Sequence, residues 1–236
     1  MRALLLAAGF GSRLRPITDI VPKCLVTIAG KPLLQYWLDA LLDAGVERVL
    51  VNTHYRREAV EAFAEGYGRR DKVDLVFEPE LLGTGGTIAT NAGFFEGAPG
   101  LVLHADNLSD LDLGRLIRAH QARPPSCAMT MATFDTDQPQ SCGIVELDED
   151  DVVAAFHEKV ADPPGTRANA AVYVLEPEVV ALCSARFSSF LDLSTEIIPD
   201  YIGRIFAHHH GGYHRDIGSL ESLRQARADF ADPEPV

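Results

Sequence analysis

Four short apolar runs, separated by helix-like segments, constrain the fold of this chain more than any other feature. The runs occupy residues 3–8, 49–52, 73–77 and 101–104. Each has the length of a strand and lacks the polar spacing of an amphipathic helix, as expected of strands buried on both faces. These runs therefore predict the strands of a sheet whose two faces are both covered.

The segments between the runs have the pattern of helices. Residues 32–44 begin with proline, carry apolar residues at helical spacing and end before Gly45, which are start and stop signals for a helix. Residues 56–64, 87–92 and 112–121 also have a helical pattern. The alternation predicts an α/β fold with a mostly parallel sheet, helices on both faces and ligands at the carboxyl ends of the strands.

After residue 125 the strand-like segments come closer together. Strands are predicted over residues 127–134, 143–147, 152–156 and 170–175, and helices over 177–182, 194–201 and 220–229, with Ser194 as a candidate N-cap. No linker separates two independent domains, so we expect a single domain over residues 1–236, with a half at 1–125 and a β-rich half at 126–236. The tail at 231–236 is expected to fray.

Composition limits the partners and the metal sites. The 236 residues carry a formal net charge of −13, which argues against nucleic acid or an anionic membrane, because both bind mainly through cationic side chains. No apolar run is long enough to span a bilayer, so we expect a cytoplasmic protein. The four cysteines show no CxxC spacing and predict neither a zinc site nor a disulfide framework. The histidines at 208–210 would alternate between the two faces of a strand, so we expect no metal site there.

The first apolar run leads directly into a glycine loop, LLAAGFGSRLR at residues 5–15. Glycines let backbone N–H groups approach phosphate oxygens, and an arginine can bind two such oxygens at once. No GxxxxGK(S/T) string occurs, and Leu14 stands where a dinucleotide-binding loop has its third glycine. An NAD site also needs an acidic residue about 20 positions later, where this chain has Ala29, Gly30 and Lys31.

A longer stretch carries a family resemblance. The sequence LAAGFGSRLRPITDIVPKCLVTIAGKP, at residues 6–32, resembles the signature of sugar-phosphate nucleotidyltransferases, L-A-A-G-x-G-x-R-L-x-P-x-T-x-x-x-P-K-x-L-x-x-x-x-x-K-P. The match at so many fixed positions makes chance a poor explanation. The resemblance implies a Rossmann-like three-layer αβα nucleotidyltransferase domain with a mostly parallel central sheet and a small β-rich sugar-binding lobe.

Two loops correspond to the nucleotide contacts of that family. Arg13 matches the catalytic arginine and Lys23 the lysine that neutralises phosphate, which is sensible because nucleotidyl transfer needs fixed positive charge where negative charge develops. LLGTGGT at residues 81–87 resembles the second nucleotide loop. The nucleotide-binding residues that the resemblance implies are Leu6, Ala8, Gly9, Gly11, Gly83, Thr84 and Gly86.

Two aspartates are the metal ligands that the resemblance implies. HADNLSD at 104–110 follows a predicted buried strand and places Asp106 at the magnesium-binding position, although Ala105 replaces the more usual glycine. YHRDIGSLESL at 213–223 resembles the ending W-x-D-(I/V)-G-(S/T)-P and makes Asp216 the second carboxylate. Two carboxylates that follow strands suit a Mg²⁺ site with positions left for water and phosphate oxygens.

Three residues of the second half are the implied sugar-phosphate contacts. In FHEK at 156–159, Glu158 would hold sugar hydroxyls and Lys159 the sugar phosphate. Asn169 matches the asparagine of an N-(A/G)-G-x-Y pattern that contacts the sugar, with Ala171 in place of the usual glycine. A change at that position could shift sugar specificity.

The resemblance implies that an NTP and a sugar 1-phosphate react, with Mg²⁺, to give an NDP-sugar and pyrophosphate. The short length, LGTGG, RFSSF and RDIG most resemble compact guanylyltransferases acting on mannose 1-phosphate or D-glycero-D-manno-heptose 1-phosphate, which favours GTP. A uridylyl- or thymidylyltransferase for another sugar 1-phosphate and a non-catalytic nucleotide-sugar sensor remain alternatives. The chain ends soon after the last motif, so we expect no C-terminal acyltransferase or β-helical extension. A homo-oligomer stays open.

Overall fold

The computed structural model describes residues 1–230, and a nine-stranded mixed sheet lies at its centre. In chain order the strands are β1 Arg2–Leu6, β2 Thr27–Ile28, β3 Lys31–Pro32, β4 Arg48–Thr53, β5 Val73–Phe77, β6 Gly100–His104, β7 Asn107–Ser109, β8 Met129–Asp135, β9 Gly143–Leu147, β10 Val153–Glu158, β11 Arg167–Leu175, β12 Ile205–His209 and β13 His214–Asp216. The α-helices are α1 Leu33–Asp43, α2 Arg57–Gly66, α3 Thr84–Thr90, α4 Leu113–Ala122, α5 Pro177–Arg186 and α6 Leu220–Asp229. The tail at 231–236, for which we expected fraying, lies outside the described residues.

The strands of the first half form a parallel sheet, as predicted. β1 pairs with β4 on one side and β6 on the other, and β5 continues from β4, all in parallel. The second half extends the sheet: β11 is antiparallel to β6, β8 is antiparallel to β11, and β12 is parallel to β8. β9 and β10 form an antiparallel hairpin joined to β11 by the pairing of Ile144 with Ala168. The mostly parallel sheet is confirmed.

Helices cover both faces of the sheet because successive strand residues point to opposite sides. Ala3 and Leu5 of β1 belong to one core cluster, which also contains Trp37 of α1. Leu4, between them, belongs to the cluster on the other face, which contains Ile88 of α3. Apolar residues of α2 and α4 join the first cluster and those of α5 join the second. The expected three-layer αβα arrangement is therefore present.

A third, smaller apolar cluster lies beside the glycine loop. Its buried members come from the loop, from the segment of β2 and the start of α1, from β7, from the residue after β13 and from α6, and they include Leu14, Ile28, Leu108, Ile217 and Leu223. Segments distant in the chain thus share one small core. This cluster fixes the position of β13 relative to the loop.

The helix predicted over residues 194–201 is present only as two short, irregular helical turns. Residues Leu193–Ile197 form a π-helical turn, and Ile198–Tyr201 form a 3₁₀-helix. Pro199 has no N–H to donate, so a regular helix cannot continue through it. The side chain of Asp192, and not that of Ser194, caps the turn by accepting the N–H of Thr195 at 3.0 Å.

Four short strands were not predicted: β2, β3, β7 and β13, which have two or three residues each and therefore lack a strand signal. Of β12, only the histidine end was treated as part of a strand. All four cysteines carry free thiols. Within residues 1–230, no helix has both the length and the apolar character needed to cross a bilayer.

Candidate active site

The carboxyl ends of the strands bring two acidic side chains and one lysine together. Nζ of Lys23 lies 2.6 Å from Oδ2 of Asp106 and 3.2 Å from Oδ1 of Asp216. The Lys23 side chain is 9% exposed, against 36% and 54% for the two aspartates. One nearly buried cation therefore lies between two carboxylates that are open to solvent.

Asp106 is positioned by the end of β6. The N–H of Ala105 donates to the carbonyl of Leu6 at 2.9 Å. Ala105 is fully buried in the core and its φ is not positive, so its methyl group fits without backbone strain where the family more often has glycine. Nε1–H of Trp37 donates to the carbonyl of Asn107 at 2.8 Å. The residues on both sides of Asp106 are thus fixed.

Asp216 reaches the same point from β13. It pairs with Asn107 across the small β7–β13 sheet. The next residue, Ile217, donates its N–H to the carbonyl of Asp106 at 3.1 Å and is buried beside Leu108 in the third apolar cluster. The two carboxylates are distant in sequence, but Asp216 on β13 therefore lies next to Asp106, which directly precedes β7.

The Lys23 cation and the carboxylates around it stabilise their charged forms. Burial by itself would lower the pKa of Lys23, but the carboxylates of Asp106 and Asp216 outweigh it and raise that pKa above its ordinary value. Burial by itself would raise the pKa of Asp106, but the charge of Lys23 holds it below its ordinary value. At neutral pH the lysine is therefore charged and Asp106 is ionised.

The donor set at this point fits Mg²⁺. Proteins usually bind Mg²⁺ through one or two carboxylates, with water and substrate phosphates completing the coordination. Asp106 and Asp216 already converge on a single cationic atom, Nζ of Lys23. Nowhere in residues 1–230 do three or more His, Cys, Asp or Glu side chains form a metal-binding group. Two carboxylates are thus what the protein offers here.

Arg13 extends from the glycine loop into the same region. Its side chain is 75% exposed, and a guanidinium nitrogen lies 3.8 Å from Oδ2 of Asp216. Gly11 has a φ of +64°, and a Cβ on it would lie 2.8 Å from Cγ2 of Thr18 and 3.0 Å from Cβ of Lys23. Thr18 also donates its hydroxyl to the carbonyl of Gly11 at 2.8 Å. Glycine therefore lets the loop fold tightly here, and the Arg13 guanidinium remains mostly exposed.

A cleft of about 780 Å³ connects the carboxylate pair with the predicted sugar-phosphate residues. Its lining includes Arg13, Asp106, Glu158, Lys159, Asn169 and Asp216. The Lys159 side chain is 65% exposed, and its Nζ lies 3.0 Å from Oε1 of Glu158. The φ of Lys159 is +50°, a conformation that costs energy in a residue other than glycine. The structure thus brings these residues into one cleft, and their roles remain predictions.

Asn169 shapes the wall of this cleft. Its Oδ1 accepts the N–H of Ala171 at 2.9 Å, and its Nδ2 donates to the hydroxyl of Tyr173 at 2.6 Å. Ala171 has a φ of +53°, and the β8–β11 register shifts between Asn169 and Tyr173. Alanine therefore keeps a left-handed backbone where the family usually has glycine. The Asn169 amide still has one N–H and one lone pair for a ligand.

The second predicted nucleotide loop makes close contacts with a neighbouring segment. Gly83 has a φ of +77°, and a Cβ on it would overlap the carbonyl of Leu191. Oγ1 of Thr84 accepts the N–H of Leu193 at 2.7 Å. Gly86 is buried, and a Cβ on it would lie 2.7 Å from Cε2 of Phe187. These contacts explain Gly83 and Gly86 by packing, and their nucleotide contacts remain a prediction.

The residues predicted to bind the nucleotide lie outside the cleft. None of its lining residues is Leu6, Ala8, Gly9, Gly11, Gly83, Thr84 or Gly86. Ala8 is buried, whereas Gly9 is exposed and a Cβ on it would meet nothing within 4 Å. The open space at Gly9 leaves room for a phosphate to approach the backbone.

A buried polar network, which sequence reasoning missed, joins the two loops. The N–H of Ala7 donates to Oδ1 of Asn52 at 2.6 Å, and Nδ2 of Asn52 donates to Oε1 of Glu78 at 3.1 Å. The hydroxyl of Thr87, in α3, donates to the same Glu78 oxygen at 2.7 Å. Asn52 ends one apolar run and Glu78 directly follows another, and these polar positions were the signal available in the sequence.

Two further cleft residues were missed. Tyr173 occupies the Tyr position of the N-(A/G)-G-x-Y pattern, and burial raises its pKa. His214 stands where the ending W-x-D has Trp, and burial lowers its pKa to about 3. The quoted motifs contained both positions. The signal for His214 was its departure from the motif.

The histidine run has separate contacts. His208 and His209 belong to β12. Nε2 of His210 lies 2.8 Å from Oδ1 of Asp110, which also accepts the N–H of Tyr213 at 2.7 Å. His210 and Asp110 therefore fix the turn that leads into β13.

Comparison with known protein families and sequences gives consistent matches. A family model described as nucleotidyl transferase matches residues 2–232. Mannose-1-phosphate guanylyltransferase of Mycobacterium tuberculosis is 33% identical over 235 residues, which cover 97% of this chain and 64% of that protein. Mannose-1-phosphate guanylyltransferase catalytic subunit beta of Drosophila melanogaster is 30% identical over 244 residues, which cover 96% of this chain and 65% of that protein. The chain thus spans less than two thirds of the length of these relatives.

Solved structures share the fold. A putative glucose-1-phosphate thymidylyltransferase from Bacillus anthracis superposes with a TM-score of 0.88 at 20% identity, covering 100% of this chain and 97% of that chain. HddC from Yersinia pseudotuberculosis, complexed with GMP-PN, superposes with a TM-score of 0.79 at 24% identity, covering 97% and 99%. The expected Rossmann-like α/β fold is confirmed by these similarities.

Proposed function

The chain belongs to the nucleotidyl transferase family, and on that basis we propose that it transfers a nucleotidyl group from an NTP to a sugar 1-phosphate. The products are an NDP-sugar and pyrophosphate. The observation that carries the proposal is the position of Lys23 between Asp106 and Asp216, at a cleft that also contains Glu158 and Lys159. This arrangement offers positive charge and two metal ligands next to a pocket for a second substrate.

The attacking group is the phosphate of the sugar 1-phosphate. One of its oxygens forms a bond to the α-phosphorus of the NTP, while the bond from that phosphorus to the bridging oxygen of pyrophosphate breaks. No covalent nucleophile from the protein is needed, so catalysis depends on position and charge. Lys159 binds the attacking phosphate, and Glu158 and Asn169 hold the sugar.

Negative charge on the α-phosphate and the departing pyrophosphate must be neutralised as the bond breaks. Arg13 is the exposed guanidinium at this point, and Lys23 supplies a second positive charge that stays in place because it is nearly buried. Mg²⁺, when held by Asp106 and Asp216, supplies further positive charge to the phosphates. The N–H groups of the glycine loop, at Gly9 and Gly11, bind the nucleotide.

The narrower proposal is a guanylyltransferase for a mannose-type sugar 1-phosphate, of mannose or manno-heptose. Relatives about 30% identical carry the name mannose-1-phosphate guanylyltransferase. Residues 1–125 form the nucleotide half and residues 126–236 the sugar-phosphate half of one domain. The reaction takes place in the cytoplasm, where NTPs are available.

A matrix of pyrophosphate-release assays tests this function. ATP, GTP, CTP, UTP and dTTP are each combined with a panel of sugar 1-phosphates and Mg²⁺. Release with GTP and a manno-configured sugar supports the narrow proposal. Release only with UTP or dTTP overturns the choice of base but not the reaction. Absence of release from every pair overturns the transferase and favours a nucleotide-sugar sensor.

A matched pair of variants tests the site. Asp106→Asn keeps the size of the side chain and removes the charge, so we expect at least a 100-fold loss of kcat. Asp71→Asn removes a charge from a side chain that is 78% exposed in a surface ion pair, so activity should stay within twofold. Full activity of a folded Asp106→Asn variant contradicts the assignment.

A further inference from the structure

His214 has a hydrogen-bonding atom that the protein leaves unpaired. Its Nδ1 is the one buried side-chain nitrogen or oxygen among residues 1–230 without a hydrogen-bond partner. Such atoms are rare because leaving them unpaired costs free energy. The imidazole lines the cleft that also contains Lys159 and Asn169. This nitrogen is itself shielded from solvent, so a ligand can pair with it only when the imidazole turns Nδ1 toward the cleft.

The position of the imidazole is well defined. Its centroid lies 4.4 Å from that of Phe134, with the two rings tilted by 46°, and His214 pairs with Ser109 across β7 and β13. A rotation of 180° about the Cβ–Cγ bond exchanges Nδ1 with Cδ2 and leaves the outline of the ring unchanged. A ring nitrogen can therefore face the cleft without repacking Phe134.

The departure from the motif has a chemical consequence. The ending W-x-D has an indole at the position of His214, and an indole offers one N–H donor and no acceptor. A neutral imidazole is smaller and offers one donor and one acceptor. This chain therefore presents a hydrogen-bonding edge where the motif presents a larger, mainly apolar ring.

We propose that His214 determines sugar specificity by hydrogen-bonding one hydroxyl of the sugar 1-phosphate, an inference that rests on the proposed function. A hydroxyl both donates and accepts, which matches a neutral imidazole. Phosphate oxygens only accept, and Arg13 and Lys159 line the same cleft with positive charge to bind them. A site built to bind a hydroxyl rejects the analogue that lacks it.

Steady-state kinetics of three variants test the proposal. His214→Phe keeps a ring of similar shape without nitrogen, and we expect KM for the preferred sugar 1-phosphate to rise about tenfold. KM for the NTP should stay within twofold. His214→Asn keeps a polar atom near the position of Nδ1 and should recover most of the lost affinity. His208→Phe, the matched control on β12 outside the cleft lining, should behave as the wild type.

A series of monodeoxy sugar 1-phosphates identifies the hydroxyl. The wild type should discriminate against one analogue about tenfold, and His214→Phe should not discriminate against it. Unchanged sugar KM values in His214→Phe overturn the proposal. A lower kcat together with an equal rise in KM for both substrates also overturns it, because the residue then acts by supporting β13.

Calorimetric titration separates this inference from the proposed function. If the wild type releases no pyrophosphate from any pair, the transferase fails, and binding of each sugar 1-phosphate to wild type and His214→Phe still tests His214. Tighter binding by the wild type that depends on a single hydroxyl supports the inference. Equal binding by both proteins, or no binding by either, overturns it.

Discussion

Nζ of Lys23 lies 2.6 Å from Oδ2 of Asp106, and the lysine side chain is almost fully buried. The same nitrogen lies 3.2 Å from Asp216, so a single internal cation holds two carboxylates together. Without that cation, the negative charges of Asp106, directly before β7, and of Asp216, on β13, would repel each other. Lys23 therefore has a structural role in addition to its proposed role toward phosphate.

We predict that Lys23→Met destabilises the protein in EDTA by about 1–3 kcal/mol. This is less than the 3–5 kcal/mol typical of a broken buried ion pair, because both aspartates are partly exposed. Urea denaturation measures the change. Lys72→Met, at a surface ion pair, is the control and should change stability by less than about 0.5 kcal/mol. Mg²⁺ should restore part of the loss, and a variant as stable as the wild type in EDTA contradicts the structural role.

Stability should fall as the pH drops from about 6.5 toward 4, through His120. This side chain is buried between Thr130 and Glu176. Burial is the main reason that its pKa is lowered to about 4. The unfolded chain binds a proton near pH 6.5 that the folded protein does not, so protonation favours unfolding in this range. We expect His120 to contribute a loss of about 1–3 kcal/mol between pH 6.5 and 4.

The pH effect is measured by urea denaturation at intervals of half a pH unit. In His120→Gln the slope between pH 6.5 and 4 should be smaller than in the wild type. Gln121→Ala, at an exposed position of the same helix α4, removes no titratable group and should keep the wild-type slope. Identical slopes in all three proteins would exclude His120 as the source.

Ala171→Gly should stabilise the protein. Ala171 has a φ of +53°, which costs an L-residue about 1–2 kcal/mol and which glycine adopts freely. Allowing for the lost methyl packing, we expect a gain of about 1 kcal/mol, or a Tm higher by about 2–4 °C. Calorimetry provides the measurement. The neighbouring Ala170→Gly, at a buried position of β11 without positive φ, should lower Tm, and a lower Tm in both variants would refute the strain at Ala171.

Gly11→Ala should destabilise the glycine loop by about 1–3 kcal/mol, because the added Cβ would lie 2.8 Å from Cγ2 of Thr18 in a left-handed backbone. Gly9→Ala, where a Cβ meets nothing within 4 Å, should leave stability unchanged. Thr18→Ser removes Cγ2 and keeps the hydroxyl that bonds Gly11, so the double variant should recover part of the loss. Equal denaturation midpoints for Gly9→Ala and Gly11→Ala would be incompatible with this packing.

Long apolar runs with clear ends were predictable from local sequence. The strands β1, β4, β5 and β6 and the helix α1 agree with the predictions to within one or two residues at each end. Their periodicity and their proline and glycine ends are local properties, which act before any tertiary contact forms. Residues 193–201 differ because contacts with Thr84 and a proline in the segment decide their backbone.

Sequence reasoning identified some residues of the candidate site and missed others. Arg13, Lys23, Asp106 and Asp216 were found because they fall within motifs, and the structure places them together. Asn52 and Glu78 were missed because their hydrogen bonds join segments far apart in the chain. Asn169 was assigned to the sugar, and the structure adds that its amide also holds Ala171 and Tyr173.

By itself the sequence determined the α/β class, the succession of the main strands along the chain and the identity of the charged residues of the site. Periodicity and motif spacing, on which these predictions depend, are local properties of the chain. Tertiary structure alone decided that Lys23 is buried between Asp106 and Asp216, and that Nδ1 of His214 is left without a partner. Burial and pairing depend on which surfaces pack against one another. A third apolar cluster and the β7–β13 pairing bring those surfaces together.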